Sequence, residues 1–211
     1  MVCIDARHAH GMLKAQRVKT DKNDARGLAQ IARTGWYDAV HVKSVESLRL
    51  RTLIAGRKQL LHTRQAMENH IRGTLKTFGI KLGVVTTEGL AYKVKTALEG
   101  VDTFVLGTMA SLLKAREDLL TQEKVLESHC KQLAGKDEIC QRLMTSPGVG
   151  TLTALAFKAE IDDPARFVKS RDVGVHVGLT PRKYASGEID YDGLSAGAAT
   201  RRYAPCCSKR Q

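Results

Sequence analysis

The chain has 211 residues, 43% of them hydrophobic, which leaves room for one or two domains with real cores and excludes wholesale disorder. Thirty-four lysines and arginines outweigh 22 aspartates and glutamates, giving a net charge of +12 and a pI near 9.7, the electrostatic signature of a polyanionic partner. Aromatics at 5% argue against a membrane-surface helix, and no apolar run approaches the ~20 residues of a membrane span, so nucleic acid is the partner this charge points to.

In chain order, residues 1–45 read as a piece of an α/β unit. Val2-Cys3-Ile4 is a short apolar strand, His8 to Lys14 a brief helix, and Val40-His41-Val42 a second short strand. Between them a helix carries Lys19-Thr20-Asp21-Lys22-Asn23-Asp24-Ala25, runs to about Arg33 and stops at Gly35. Asp21 and Asp24, three apart, project from one helix face about a turn apart. Two outcomes are open. Carboxylates so placed can share a hard divalent cation, with Lys19, Lys22 and Arg26 drawing in a phosphate backbone. Alternatively Asp21 is an N-cap and Asp24 only complements the helix dipole.

The middle of the chain is helical. Leu50, Leu53, Arg57, Leu60, Arg64, Met67, Ile71, Thr74 and Phe78 follow alternating three- and four-residue steps, a heptad seam with arginines at two core positions. A glycine-containing break from Gly79 to about Gly107 follows. Leu112, Leu119, Leu126 and Leu133 then recur every seven residues, with Arg116, Glu123 and Cys130 between them. The two helices are expected either to pair as an antiparallel hairpin, to build a dimer, or to pack as ordinary amphipathic helices. Arg57 and Arg64 call for acidic partners, which Glu117, Glu123 or Glu127 could supply.

The third stretch opens on an apolar helix end, a Pro147-Gly148-Val149-Gly150 turn and a new helix from Thr151, a helix-hairpin-helix pattern. Glycines there let backbone N–H groups approach a phosphate at the N-terminus of the second helix without reading bases. Asp162 to Phe167 reads as a loop, Asp172 to Val177 as a short helix, and Gly178 to Gly187 as a loop rich in turn formers and cations, with Arg182 and Lys183. The five cysteines, Cys3, Cys130, Cys140, Cys206 and Cys207, show no paired zinc spacing, and their odd number argues against a disulfide framework.

As an ordered set, these segments resemble the DEDD transposases of insertion-sequence family 110, relatives of the Piv DNA invertase. The likeness rests on the Lys-Thr-Asp-x-x-Asp-Ala run at 19–25, the arginine-studded helices with Asn69 and Gly79, Ser146-Pro147-Gly148-Val149-Gly150, Ala159-Glu160-Ile161, Phe167, and Gly178-Leu179-Thr180-Pro181 with Ser186-Gly187. It implies a partial RuvC-like (RNase H-like) unit over 1–45, a helical coiled-coil hairpin over 46–140, and a small, mostly helical transposase domain over 141–193 with a helix-hairpin-helix. Residues 194–211 would be an aberrant basic tail. The fold class is therefore α/β plus all-α.

The same resemblance implies Mg²⁺ bound by four acidic residues, of which Asp21 and Asp24 are the last two, and a serine that attacks the scissile phosphate, matched here by Ser186. Arg182 and Lys183 would clamp that phosphate beside it. Expected partners are DNA, a structured guide RNA and further copies of the chain; with no signal peptide before Met1, the expected location is the bacterial cytoplasm. The family's first two carboxylates would lie upstream of Met1, and Asp5 is not at a matching position. The tail also departs from the family. Pro205 to Gln211 can be encoded so that the shifted frame gives an apolar helix, so the copy is expected to be truncated at its start and frameshifted at its end. Two alternatives are a non-catalytic helix-hairpin-helix nucleic-acid-binding protein and a Holliday-junction nuclease, which would not require Ser186.

Overall fold

The computed structural model describes residues 2–14, 18–37, 39–99, 103–179, 181–186 and 189–195, with the backbone alone for Thr103 and the last two stretches. The chain divides into two compact units, residues 1–44 and 45–211.

In the first unit, α1 (Ala6–Leu13) is capped by Asp5, whose carboxylate accepts from the Arg7 N–H at 2.8 Å. That hydrogen bond, with the Arg7 charge, holds the Asp5 carboxyl below the usual range. Helix α2 (Asp21–Thr34) ends on Gly35 at φ 66°, a left-handed cap that glycine adopts without strain. Ala9 and Ile31 are buried. The two short strands expected here reduce to a single antiparallel bridge, Ile4 to Ala39, with the Val40 N–H donating to the Cys3 carbonyl at 2.8 Å. Among the described residues no further strand lies beside these three-residue segments, and so short a pair cannot sustain a ladder; Asp5, next to Ile4, serves as the cap of α1.

The second unit is built on two long helices, α3 (Val45–Thr77) and α5 (Thr103–Lys136). They run antiparallel within the chain: Leu50 of α3 shares a core with Cys130 and Ala134, whereas Ile71 and Leu75 share one with Val105, Met109 and Leu113. A Schellman turn stops α3, with Ile80 N–H bonded to Leu75 O and Gly79 N–H to Lys76 O, both at 3.0 Å, and Gly79 at φ 77°. Phe78 therefore sits in the turn, 52% exposed, and Leu75 closes the seam instead. The chain then descends beside α3, where Arg72 donates to the Gly83 carbonyl at 2.9 Å, before α4 (Leu90–Ala97) packs Leu90 and Val94 into the same core.

The heptad reading of α5 needs correction. Leu112, Leu119 and Leu126 are only half-buried and Leu133 is 43% exposed, while Arg116, Glu123, Cys130 and Ala134 are buried. The seven-residue spacing survives but the register differs: Arg116, Glu123 and Cys130 stay on the contact line, and the positions buried beside them are Leu113 and Ala134, each one residue beyond a leucine of the series.

Two short helices, α6 (Glu138–Met144) and α7 (Thr151–Ile161), complete the core at the Leu50 end, with Cys140, Ala154, Leu155 and Ala159 buried against α3 and α5. Alanines on that face let α7 approach both long helices. A 3₁₀ turn at Pro164–Arg166 and α8 (Ser170–His176) follow. The cationic stretch expected as a loop is instead strand β1 (Pro181–Ser186), paired antiparallel with β2 (Ile189–Ser195). Leu194 and Ser195 thus end a strand, and the remainder of the expected tail, 196–211, lies outside the described residues.

Candidate nucleic-acid interface

The first candidate element is the opening turn of α2. Thr20 holds the cap position, its hydroxyl accepting from the Asn23 N–H at 3.3 Å. Asp21 is therefore the first helical residue and not the cap, and Asp24 lies one turn on. Neither carboxylate has a partner among the described residues. Asp21 is exposed and Asp24 half-buried. Lys19, Lys22 and Arg26 flank them, also without ion pairs there. Among the described residues no group of three His, Cys, Asp or Glu side chains could hold a metal ion.

The second element is the α6–α7 connection. Ser146 to Val149 form a β-turn closed by the Val149 N–H on the Ser146 carbonyl at 3.1 Å, with Pro147 at its second position and Gly148 at φ 83° at its third. That is type II geometry, in which proline pre-sets the first corner and glycine takes the positive φ. Gly150 then caps α7 from an extended conformation and, having no side chain, offers the first turn of α7 no capping acceptor of its own. A Cβ on Gly148 or Gly150 would meet nothing within 4 Å, so the approach to this turn is open. Glu127 and Lys131 of α5 line a pocket with Gly150, Thr151 and Leu152, and they pair with each other at 3.0 Å.

The turn is held in place by charge. Asp137 caps α6, accepting from the Cys140 N–H at 2.9 Å, and also takes Lys158 of α7, which reaches Glu46 of α3 at 3.0 Å. Partial burial opposes the Asp137 charge, but Lys158 and the Cys140 N–H more than offset it and leave the carboxyl below its ordinary value of 3.8; the Lys158 ammonium is held above its own. Burial and the Asp137 charge push the Cys140 thiol up to about 11. The sign follows from linkage: the Asp137 contribution is whole above its unfolded pKa and is lost as pH falls through the depressed folded one. Lys158 contributes below 10.5 and loses that contribution as pH rises through its raised value. Asp137→Asn should therefore flatten the acid limb of a urea-unfolding stability profile below about pH 4. An unchanged acid limb would contradict this account.

Between the two apolar cores, α3 and α5 meet through a ladder of alternating charge. Glu127 pairs with Arg57 at 3.0 Å, Arg57 with Glu123 at 3.9 Å, Glu123 with Arg64 at 2.8 Å, Arg64 with Glu68 at 2.8 Å, and Glu68 with Arg116 at 2.8 Å. Arg116 also donates to the Thr87 carbonyl, tying the descending loop to α5. Burial works against the Arg64 charge, yet the hydrogen bonds it donates to Glu123 and Glu68 prevail and its pKa is raised. Glu123 and Glu127 are the acids expected from sequence. Glu117 faces solvent, and Glu68, on the same helix as Arg64, takes its place. The i, i+4 spacing of Arg64 and Glu68 was the available signal.

The third element is β1, which carries Arg182 and Lys183 and ends on Ser186, paired with Ile189 at the last rung before the hairpin connection. Asp21 and Asp24 thus come together in the first unit, and the Pro147–Gly150 turn and the β1 residues belong to the second.

The chain is largely helical and strongly cationic, with an open glycine turn between α6 and α7. Comparison with known proteins gives it a family. Residues 1–80 match the family model of the DEDD transposases of IS110, and residues 140–204 match the transposase IS116/IS110/IS902 family. The chain is 30% identical over 198 residues to the transposase of insertion sequence element IS1111A from Coxiella burnetii, covering 87% of this chain and 51% of that protein. It is 27% identical over 175 residues to the transposase of insertion sequence element IS1328 from Yersinia enterocolitica, covering 81% and 52%. A third relative, a probable family 20 transposase from Pseudomonas aeruginosa, is 27% identical over 180 residues, covering 80% and 51%. The chain belongs to the IS110/IS116 family of insertion-sequence transposases. It spans about half the length of these curated relatives. Among the described residues no helix is long and apolar enough to cross a membrane.

Proposed function

We propose that this chain takes part in DNA transposition or site-specific recombination, gripping duplex DNA by its phosphates, with Asp21 and Asp24 as ligands of a divalent cation and Ser186 as the attacking hydroxyl. The first unit is then part of a RuvC-like fold, and the α6–turn–α7 element a helix-hairpin-helix whose Pro147 to Gly150 turn lies against the DNA backbone. The 46–140 helices act as the spacer through which copies associate, and a structured RNA guides the choice of site.

What carries this proposal is the capping of α2 by Thr20, which leaves both carboxylates of its first turn unengaged beside Lys19, Lys22 and Arg26. A carboxylate that no hydrogen bond or ion pair engages, in a cationic setting, is a natural ligand for a hard cation. Two oxygen donors fit part of a magnesium site; further carboxylates must join them, since no third ligating side chain does so among the described residues. Bound there, the cation would neutralise phosphate oxygens and assist the attacking or leaving group. The chain's own contribution is to draw phosphate backbone in with Lys19, Lys22 and Arg26 in the first unit and with Arg182 and Lys183 in the second, where Ser186 is the last residue of β1. A neutral serine needs a base or a nearby positive charge to lose its proton.

The test is a manganese titration followed by electron paramagnetic resonance, on the full chain and on the Asp21→Ala/Asp24→Ala variant, with nicking of supercoiled duplex as a second readout. The variant should lose manganese binding while its unfolding midpoint stays put, because surface side chains without partners contribute within about 0.5 kcal/mol. Nicking, if measured, should vanish in that variant and in Ser186→Ala. Equal manganese binding by both proteins would overturn the metal role, and nicking that survives Ser186→Ala would overturn the serine's.

A further inference from the structure

The two long helices face solvent in different ways. From Lys58 to Thr77, the outer face of α3 carries Lys58, His62, Gln65, Asn69 and Lys76 in steps of three, four and seven residues, all exposed, with Gln59, Thr63 and His70 beside them. No carboxylate lies on that face. The one acid in this stretch, Glu68, is turned inward and engaged by Arg64 and Arg116. Lys58 and Lys76 have no ion pair among the described residues. Midway between the flanking polar rows sit Ala66 and Gly73, where a Cβ on Gly73 would meet nothing within 4 Å. The solvent side of α5 is balanced by contrast: Glu117, Asp118 and the half-buried Glu127 alternate with Lys114, Lys124 and Lys131. Lys114 pairs there with Asp118 at 3.5 Å and Lys131 with Glu127 at 3.0 Å. Mixed charge is the pattern of a solvated helix face, and a run of about 30 Å without an acid sets the outer face of α3 apart from it.

We infer that the outer face of α3, centred on Lys58, His62, Asn69 and Lys76, is a docking surface for duplex DNA, separate from the Pro147–Gly150 turn. This rests on the reading of the chain as a DNA-handling protein. The charge is complementary to a phosphate backbone, and a single acid would have spoiled it by like-charge repulsion. Glutamine, asparagine and threonine are the neutral side chains that bond phosphate oxygens and base edges. The small centre lets a backbone come close. The face carries no Phe, Tyr or Trp, so it lacks the stacking platforms that unpaired bases require, and this favours a duplex over a single strand. An α-helix fits the major groove of B-form DNA but not the deep, narrow one of an RNA duplex, and this favours B-form DNA as the occupant. On this account α3 does more than space the two ends of the unit.

The experiment is fluorescence anisotropy of the full chain with a labelled DNA duplex across a salt series. Two charge reversals on the α3 face, Lys58→Glu and Lys76→Glu, are compared with two on the α5 face, Lys114→Glu and Lys124→Glu. Both variants change the net charge equally, so only location differs. The α3 variant should bind about tenfold or more weakly and lose about one to two units of the slope of log K against log salt, each phosphate contact being worth about 0.9. The α5 variant should keep the wild-type slope. Matching unfolding midpoints would show that both variants fold. Equal losses in the two variants would overturn the inference while leaving the proposed function standing, as would an A-form RNA duplex that binds the α3 face more tightly than DNA. Absence of any duplex binding by the unaltered chain would overturn both.

Discussion

Glu123→Gln is expected to lower the stability of the second unit by about 3 kcal/mol, the largest single-residue effect outside its apolar cores. Glu123 is 7% exposed and lies between Arg57 and Arg64, themselves largely enclosed by α3 and α5. Its removal leaves three arginines sharing Glu68 and Glu127. Arg57 already has its Nε buried without a partner, so it has nothing spare to fall back on. A charge stranded in a desolvated seam costs far more than the same charge at the surface, where water takes over. In a unit of this size the loss corresponds to roughly 6–12 °C in thermal midpoint.

Glu127 provides the contrast. Its carboxyl is held below the usual range by hydrogen bonds from Arg57 and then Lys131, but its side chain is 35% exposed. Glu127→Gln should therefore cost about 1 kcal/mol or less after solvent screening. Replacing Arg64 and Glu123 together by leucine should recover much of the single-variant loss, since a buried pair can be exchanged for packed hydrocarbon at little net cost. Urea unfolding of the four proteins checks this, and equal midpoints for Glu123→Gln and Glu127→Gln would refute the ladder's central role.

The second large effect is on binding. If the +12 chain grips DNA by about six phosphates, raising salt from about 50 to about 200 mM should weaken binding by about 1,000-fold, because counterions released from the duplex no longer favour association. Gly150→Val locates part of that grip. Gly150 has φ −95°, an ordinary value for any residue, and open space around its missing Cβ, so valine should fold there at a cost of about 1 kcal/mol or less. The added methyls would nevertheless stand where a phosphate must approach the first N–H groups of α7, and duplex affinity should drop by about tenfold. Gly148 is a poorer probe, because its φ of 83° makes any other residue strained, at about 1–3 kcal/mol. Affinity that does not respond to salt would refute phosphate-led binding. A Gly150→Val protein that binds like the parent would free the turn from any part in it.

The chain's local devices were legible in its residues alone. Gly35 ends α2, Pro147 and Gly148 make the turn between α6 and α7, and Arg57 and Arg64 announce a demand for acids across the seam. Each of these is settled by backbone dihedrals, a nearest hydrogen bond or an uncompensated charge, all of which are written within a few residues. The ordered motifs also point to the family before any fold is known. Other features waited on packing. Whether Thr20 or Asp21 caps α2 is a choice between neighbours one residue apart, made by where the first turn closes. The leucines of α5 suggested a seam that lies one residue further on, where Leu113 and Ala134 are buried together with Arg116, Glu123 and Cys130. Pro181 to Ser186 looks like a loop until the partner strand Ile189–Ser195 supplies its hydrogen bonds. The acid-free face of α3 was present in the sequence throughout, but only the direction in which Glu68 turns shows that the face is bare. Sequence determines what a segment can do with its own backbone; which side of it meets protein and which meets solvent is decided by the elements that fold against it.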